Sequence, residues 1–348
     1  MAQRKTKRQR GGAKFAFGLI NKHYILELSL KRFYALSILL ATSLFADDYT
    51  LGQGKKINDY ITLGGYFSAE YEHSNDTKKF AVEDTALMAY GEITQNISYL
   101  VEFESSNMYL RDFEAKSEHR YKNFDVERMY VDAKYNEYLQ LRAGKFLTPI
   151  GYWNQTPINV LRESTSNPYV ATYLYPKLVS GGMLYGDIYG TNNLKYQLFA
   201  QNNRDIDEGY NNILADSFNG VNIKYQNDDS ELWLGGGKYK KMHISDEYGV
   251  ASVGAKYSTR VFKIFSEAAI SKNNTETLRG MYVQGEYKVA AKHKFVTRYE
   301  YYDDKASRTN LLMMGWSYRP VYPVSLKGEV DVKTNGGGRA LLSLSVLF

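Results

Sequence analysis

A two-residue alternation of apolar and polar side chains recurs along this sequence and constrains the fold more than any other feature. Residues 324–333 read VSLKGEVDVK, with Val, Leu and Gly at alternate positions and Ser, Lys, Glu and Asp between them. Successive side chains of a β-strand point to opposite faces of its sheet, so such a segment has one apolar and one charged face. The pattern predicts an all-β protein whose sheet is polar on one side only.

Sixteen segments of this kind are predicted as strands, and turns of two lengths separate them. Residues 94–96 and 136–137 are short turns, whereas residues 107–122 and 203–216 are long polar loops. Short turns at one rim and long loops at the other are typical of a transmembrane antiparallel β-barrel with a water-filled interior. In such a barrel the charged faces point inward and the apolar faces meet lipid. The predicted strands lie near residues 59–72, 81–93, 97–106, 123–135, 138–147, 177–188, 194–202, 217–226, 231–240, 248–258, 261–271, 278–289, 293–303, 309–319, 324–333 and 339–348.

A soluble β-sandwich is the alternative fold, because its strands alternate in the same way. Composition argues against it, since 32 Tyr and 28 Gly replace much of the aliphatic content of a soluble core. Tyrosine suits membrane interfaces, and glycine suits strongly curved sheets. The sequence has no Cys, which excludes disulfide bonds, thiolate zinc sites and a cysteine nucleophile.

The net charge of +6 comes from the N-terminal segment. Residues 1–46 contain nine basic side chains and one acidic side chain, which leaves 35 basic and 37 acidic side chains in residues 47–348. The body of the chain is nearly neutral and offers no strongly basic surface, so we expect no nucleic-acid partner.

Residues 31–46 contain a basic pair, an apolar run and a small residue, in the order of a secretory signal peptide cleaved after Ala46. A membrane anchor is the alternative, but the apolar run is shorter than the roughly 20 residues that span a bilayer. The basic segment before it indicates either a natural start near Leu28 or an extended leader. The predicted organisation is a leader over residues 1–46 and a barrel over residues 47–348.

Residues 147–176 form the longest break in the alternation, and four of the six prolines lie in this segment. Proline cannot donate to a strand ladder, so its rarity elsewhere agrees with continuous strand pairing. A loop of this length in an otherwise regular domain is usually functional. It is the third long loop in the order of the chain.

The segment Leu141–Gly151 reads LRAGKFLTPIG and resembles the R-x-G-[RK]-F-x-x-P-x-G segment of the phosphate-selective (O/P-type) porins of Gram-negative outer membranes. The preceding residues 127–134 are similar to the strand that the family has at that place. The resemblance implies a trimeric channel whose long third loop folds into the lumen. Phosphate selectivity in the family depends on dense inward bases, whereas here acids alternate with bases, as in residues 327–331.

We therefore expect an outer-membrane porin that gives passive diffusion of small hydrophilic solutes or ions through a barrel narrowed by loop 147–176. It is expected to form a homotrimer in outer-membrane lipid. The candidate constriction residues are charged side chains of this loop and of the two strands before it: Arg128, Arg142, Lys145, Arg162 and Glu163. The alternative is a non-conducting surface barrel, an adhesin or structural protein, that binds partners through its long loops.

The sequence contains no pattern that predicts catalysis, a metal site or a cofactor. No G-x-S-x-G segment is present, and the histidines of the predicted barrel lie at strand ends or in loops without the spacing of metal ligands. An enzyme built on a barrel is therefore the least supported hypothesis. These histidines are His73, His119, His243 and His293.

In the last nine residues, ALLSLSVLF, every second residue counted back from Phe348 is apolar, which gives the final strand one unbroken apolar face. A final strand with a terminal Phe resembles the signal that the outer-membrane barrel assembly machinery reads. We expect this machinery to be a partner during assembly, and we expect the last strand to close the barrel.

Overall fold

The computed structural model describes residues 50–348, apart from Lys122, Asn192, Ser245 and Asn335. The predicted leader and its signal peptide lie outside the described residues. Most of the described chain is β-strand. In chain order the strands are β1 (Lys55–Lys56), β2 (Thr62–Ser74), β3 (Lys78–Thr94), β4 (Ile97–Asp112), β5 (Ser117–Arg120), β6 (Asp125–Lys134), β7 (Gln140–Leu147), β8 (Leu178–Asp187), β9 (Leu194–Gln201), β10 (Ala215–Gln226), β11 (Ser230–Lys241), β12 (Glu247–Ser258), β13 (Phe262–Lys272), β14 (Thr277–Ala290), β15 (His293–Asp303), β16 (Arg308–Tyr318), β17 (Val324–Lys333) and β18 (Gly338–Leu347).

Sixteen of these strands form one closed antiparallel barrel within the described residues. Each of the sixteen pairs with the next along the chain, and β18 pairs with β2 to close the ring. The two short strands are additions, because β1 pairs with β2 and β5 pairs with β4. The predicted fold and strand number are confirmed.

The two faces of the barrel wall have opposite polarity. On β17, Val330 and Val332 are 54% and 60% exposed, whereas their neighbours Glu329 and Asp331 are 3% and 0% exposed. A soluble protein buries its apolar side chains and exposes its charges. This inversion fits a barrel whose outer wall meets lipid and whose inner wall holds polar groups. The predicted orientation of the alternating faces is therefore confirmed.

The seam of the barrel lies where the last residue meets β2. The backbone N–H of Phe348 donates to the carbonyl oxygen of Gly65, and the N–H of Gly65 donates to that of Phe348, each at 2.8 Å. A Cβ at residue 65 would lie 2.7 Å from the Phe348 ring and 2.4 Å from the carbonyl oxygen of Ala86. Glycine is required here because no larger residue leaves room for the terminal ring.

The segment after β4 differs from the prediction. The strand was expected to end near residue 106, but it continues to Asp112 and forms a short hairpin with β5 inside the predicted loop 107–122. Asn107 has a positive φ of 53°, and the register with β3 shifts nearby. This irregularity interrupts the alternation that marks a strand in the sequence, although the backbone pairing continues beyond it.

Residues 148–177 connect β7 to β8 and contain the helical turns of the described chain. Two 3₁₀ turns cover Trp153–Gln155 and Asn159–Leu161, and one short helix, α1, covers Tyr169–Tyr173. Within the described residues, no helix combines the length and apolar character needed to cross a membrane. We call residues 148–177 the inner loop.

Candidate functional site

The inner loop packs against the inward faces of several strands of the barrel. The hydroxyl of Ser166 donates to the Glu329 carboxylate of β17 at 2.6 Å. The hydroxyl of Tyr175 donates to the Glu267 carboxylate of β13 at 2.8 Å. Because both carboxylates belong to the charged inner wall, the loop lies in the lumen, as its position in the chain predicts.

Apolar side chains of the inner loop join aromatic side chains of the wall in one cluster. Trp153 stacks on Phe265 with ring centroids 6.3 Å apart and meets the edge of Tyr282 at 6.1 Å. Burial of each such side chain stabilises the docked loop by about 1.5–3 kcal/mol. The cluster also contains Phe146, Ile150, Val170, Leu174, Tyr175, Val179, Met183, Phe199, Phe218, Tyr239, Tyr248, Val250, Ala269 and Leu278.

Glu163, one of the predicted residues, ties the loop to β15 and β16. Its carboxylate accepts from Lys294 Nζ at 2.7 Å, Ser317 Oγ at 2.6 Å and Arg319 Nε at 3.2 Å. Burial by itself would raise the pKa of Glu163, but Arg319 and Lys294 lower that pKa to about 2. The carboxylate is therefore charged at neutral pH and acts as a fixed anion between two cations.

Arg162 has charged neighbours other than those of Glu163. Its guanidinium lies 5.2 Å from the centre of the Trp153 ring and donates to Asn167 Oδ1. Burial lowers the pKa of Arg162, and the carboxylates of Asp84 and Glu70 on β3 and β2 partly offset that effect. Two adjacent loop residues of opposite charge thus interact with different side chains of the wall.

Arg128 and Arg142 belong to β6 and β7. Arg128 forms an ion pair with Glu102 of β4. Arg142 donates two hydrogen bonds of 2.7 Å to Asp132, and its guanidinium lies 3.8 Å from the centre of the Tyr130 ring. Both arginines are paired with wall carboxylates and make no ion pair with Glu163.

Lys145 lies in a third environment. Its side chain is fully buried, and Nζ donates to the carbonyl oxygens of Asp207 at 2.6 Å and Tyr210 at 3.1 Å. These acceptors belong to the loop between β9 and β10. The five predicted residues thus have separate sets of partners, and only Arg162 and Glu163 lie on the inner loop.

Three inward carboxylates form an acidic cluster at the start of the barrel. Oxygen atoms of Glu102, Glu104 and Glu127 lie within 4.8 Å of one another. The register between β4 and β6 shifts at Glu127, which is the extra residue of a β-bulge in β6. The bulge lets Glu127 face the lumen beside Glu102 and Glu104. The alternation of residues 98–104 already placed Glu102 and Glu104 on one face, but the bulge has no sequence signal.

Cations and phenols of the protein surround this acidic cluster. Lys177 Nζ donates to Glu127 at 2.9 Å, and the hydroxyls of Tyr66 and Tyr210 donate to Glu104 at 2.8 and 2.7 Å. Burial would lower the pKa of Lys177, but Glu127 and Glu104 raise it above its ordinary value. Together with Arg128, these groups pair with all three carboxylates, although Oε1 of Glu102 has no hydrogen-bond partner among the described residues. The contact of Lys177 with Glu127 ties the end of the inner loop to the cluster.

On the wall from β10 to β16, bases predominate over carboxylates in the ion pairs, because two bases share one carboxylate there. Lys224 lies 2.5 Å from Glu231, which also pairs with Lys256. Further along, Glu286 lies 3.4 Å from Lys263 and 3.9 Å from Lys294. With Arg319 and with Glu163 of the inner loop, five bases meet three carboxylates in these shared ion pairs. On the same strands Arg298 pairs with Glu300, and Glu267 accepts from hydroxyl groups.

Comparison of the sequence with known proteins gives no match, since no family model and no curated protein resembles it. Comparison of the structure gives clear matches. An anion-selective porin from Comamonas acidovorans has a TM-score of 0.62 at 12% identity, over 83% of this chain and 99% of that one. OmpF of Salmonella typhi, in a complex with daunomycin, has a TM-score of 0.61 at 14% identity, over 84% and 99% of the two chains.

A triple mutant of the Rhodobacter blastica porin is a further match, with a TM-score of 0.57 at 13% identity, over 83% of this chain and 100% of that one. Nearly the full length of each of these structures aligns with this chain, so the whole barrel architecture is shared. The chain has the fold of the bacterial porins.

Proposed function

We propose that this protein is an outer-membrane porin through which small hydrophilic solutes or ions diffuse passively, in a lumen narrowed by the inner loop. The inverted polarity of the wall carries the proposal, because inward Asp331 is fully buried beside outward Val332, which is 60% exposed. An apolar outer band is stable only against lipid, and a charged inner wall is stable only around water or polar groups.

Opposite charges on the two parts of the wall support selection by a transverse field. The acidic cluster lies on β4 and β6, and Glu70, Glu83 and Asp84 add further carboxylates on β2 and β3. In the shared ion pairs of β10 to β16, by contrast, bases outnumber carboxylates. A solute that passes between them must orient its dipole, and its charge sets the side on which it travels.

The constriction is proposed to lie along the inner loop, with Arg162 and Glu163 as its central charges. Arg128, Arg142 and Lys145 remain predictions for the same role, carried out from the wall. Phosphate selectivity is not part of this proposal, because acids neutralise most of the inward bases.

The biological setting follows from the same proposal. The signal peptide would direct secretion, the seam residue Phe348 would present the final strand to the barrel assembly machinery, and the barrel would act as a homotrimer. A non-conducting surface barrel that binds partners through its long loops is the competing proposal, and it predicts no ion current.

Single-channel recording in planar bilayers tests the proposal. The wild-type protein should give stepwise currents, and the reversal potential in a KCl gradient gives the preferred ion sign. Replacement of residues 152–170 by a short Gly-Ser linker should raise the conductance of each step. Absence of current from folded wild-type protein would support the surface barrel, and unchanged conductance of the truncated protein would refute the constriction by the loop.

A further inference from the structure

A cavity of about 470 Å³ lies between the inner loop and the wall of β7 to β12. Tyr152, Gln155 and Thr156 line it from the loop, and Asn222 and Trp233 line it from β10 and β11. Its volume falls in the range of pockets that hold small organic molecules. The cavity is separate from the five predicted constriction residues.

The charged groups of this cavity leave one positive charge in excess. Lys224 and Lys256 share the single carboxylate of Glu231, and Lys195 lies 3.7 Å from Asp187. Glu231 is nearly fully buried, so it holds the two ammonium groups at fixed positions. Two ammonium groups that share one carboxylate attract one further anion, since each retains donors for hydrogen bonds.

The uncharged groups of the cavity are suited to hydroxyls. Gln140, Gln155, Gln197 and Asn222 bring carboxamides to it, and the Asn222 amide donates to Gln197 Oε1 at 2.8 Å. Carboxamides both donate and accept, as hydroxyl groups do, so the two form paired hydrogen bonds.

Two buried polar atoms of the cavity lining have neither a hydrogen bond nor an ion pair among the described residues. They are the acceptor Oδ1 of Asn222 and the donor Nε1 of Trp233. An unpaired buried polar atom costs about 1–3 kcal/mol, which favours any ligand that satisfies it. Tyr152 stacks on the Trp233 ring with centroids 5.2 Å apart, so this loop side chain lies beside the indole.

We propose, on the basis of the channel function above, that this cavity is a binding subsite for hydroxylated monocarboxylates of about the size of a sugar acid. The carboxylate binds Lys224 and Lys256, and the hydroxyls bind the carboxamides. Tyr152 turns aside to admit one hydroxyl to Asn222 and Trp233. Neutral sugars lack the anionic contact, and simple carboxylates lack the hydroxyl contacts.

Gluconate, glucose and acetate at equal concentration are the probes, added to wild-type channels in planar bilayers with KCl. Gluconate should interrupt the current in a saturable way, with an apparent affinity at least about tenfold above those of glucose and acetate, since a charge-assisted contact contributes that much. Equal effects of gluconate and glucose, or of gluconate and acetate, would overturn the proposal.

Three variants assign the contacts. Lys256→Gln should weaken the gluconate block by about tenfold through loss of a charge-assisted contact, and Asn222→Leu should reduce gluconate to the level of acetate. Lys288→Gln is the matched control, because Lys288 is an inward position of β14 that does not line the cavity, and it should leave the block unchanged. Heat-modifiable migration in gels establishes that each variant is folded.

Tryptophan fluorescence of the folded protein in detergent separates this inference from the channel function. Gluconate should change the emission saturably, and Trp233→Phe should abolish that change. A conducting wild-type protein without block or fluorescence change refutes the subsite and leaves the channel intact. A saturable fluorescence change that Lys256→Gln weakens, in a protein that passes no current, supports the subsite and refutes the channel.

Discussion

Ser166 of the inner loop and Glu329 of β17 are 163 positions apart in the chain, yet the serine hydroxyl donates to the carboxylate at 2.6 Å. The backbone N–H of Ser166 donates to the same carboxylate at 3.2 Å, and Arg298 of β15 donates to Ser166 Oγ at 2.7 Å. The position of the loop is therefore fixed by the wall. Changes in the wall should alter the width of the lumen without any change in the loop sequence.

Glu329→Ala should loosen the inner loop, because it leaves loop N–H groups and the Ser166 hydroxyl without their acceptor. Each unpaired buried group costs about 1–3 kcal/mol. We expect larger and noisier single-channel currents and faster proteolysis within residues 148–177. Glu247→Ala removes an exposed carboxylate that pairs with Lys238 at 2.9 Å, and it should change neither measurement. Identical currents from Glu329→Ala and wild type would contradict the anchoring role.

Acid should release the loop through Glu163, whose pKa falls from an ordinary 4.5 to about 2 in the folded protein. A lowered pKa stabilises the folded state above the ordinary pKa, and this stabilisation is lost as the pH falls toward the folded value. The shift corresponds to roughly 3 kcal/mol. The free energy of unfolding is measured by urea titration in lipid vesicles. Above about pH 5, its value for the wild type should exceed its value for Glu163→Gln by a constant amount.

Between about pH 4.5 and 2, the difference between wild type and Glu163→Gln should shrink toward zero. Glu137→Gln, at an exposed turn residue, should match wild type throughout. A wild-type advantage that persists unchanged at pH 2 would show that Glu163 is not the group that titrates.

Gly65→Val should prevent closure of the barrel, because its side chain would meet the Phe348 ring and the Ala86 carbonyl oxygen. The folded fraction, measured by heat-modifiable migration in gels after refolding into lipid, should fall sharply. Gly249→Val is the matched control in β12, where the nearest atom to an added Cβ lies 3.9 Å away. Equal folded fractions of the two variants would show that the seam tolerates a side chain.

The strands could be predicted from sequence because each alternates locally, and β9 begins at Leu194 as expected. The partners of the site could not be predicted in this way. Glu127 enters the acidic cluster through a bulge, and Lys145 binds carbonyl oxygens of a distant loop. Such contacts depend on the register and curvature of the closed barrel, which no local pattern encodes.

The aromatic anchor of the inner loop should contribute more to stability than its exposed neighbours. Trp153 is 5% exposed, packs against wall aromatics and donates from Nε1 to Asn167 at 2.9 Å, whereas Leu161 is 37% exposed. Trp153→Ala should lower the free energy of unfolding in lipid vesicles by about 3–5 kcal/mol, as expected for a buried aromatic side chain. Leu161→Ala, in the same loop, should cost less than about 1 kcal/mol because most of its transfer energy is not gained on folding. Equal losses would mean that the loop is held by its polar contacts alone, and the cluster around Trp153 would then have no role in docking.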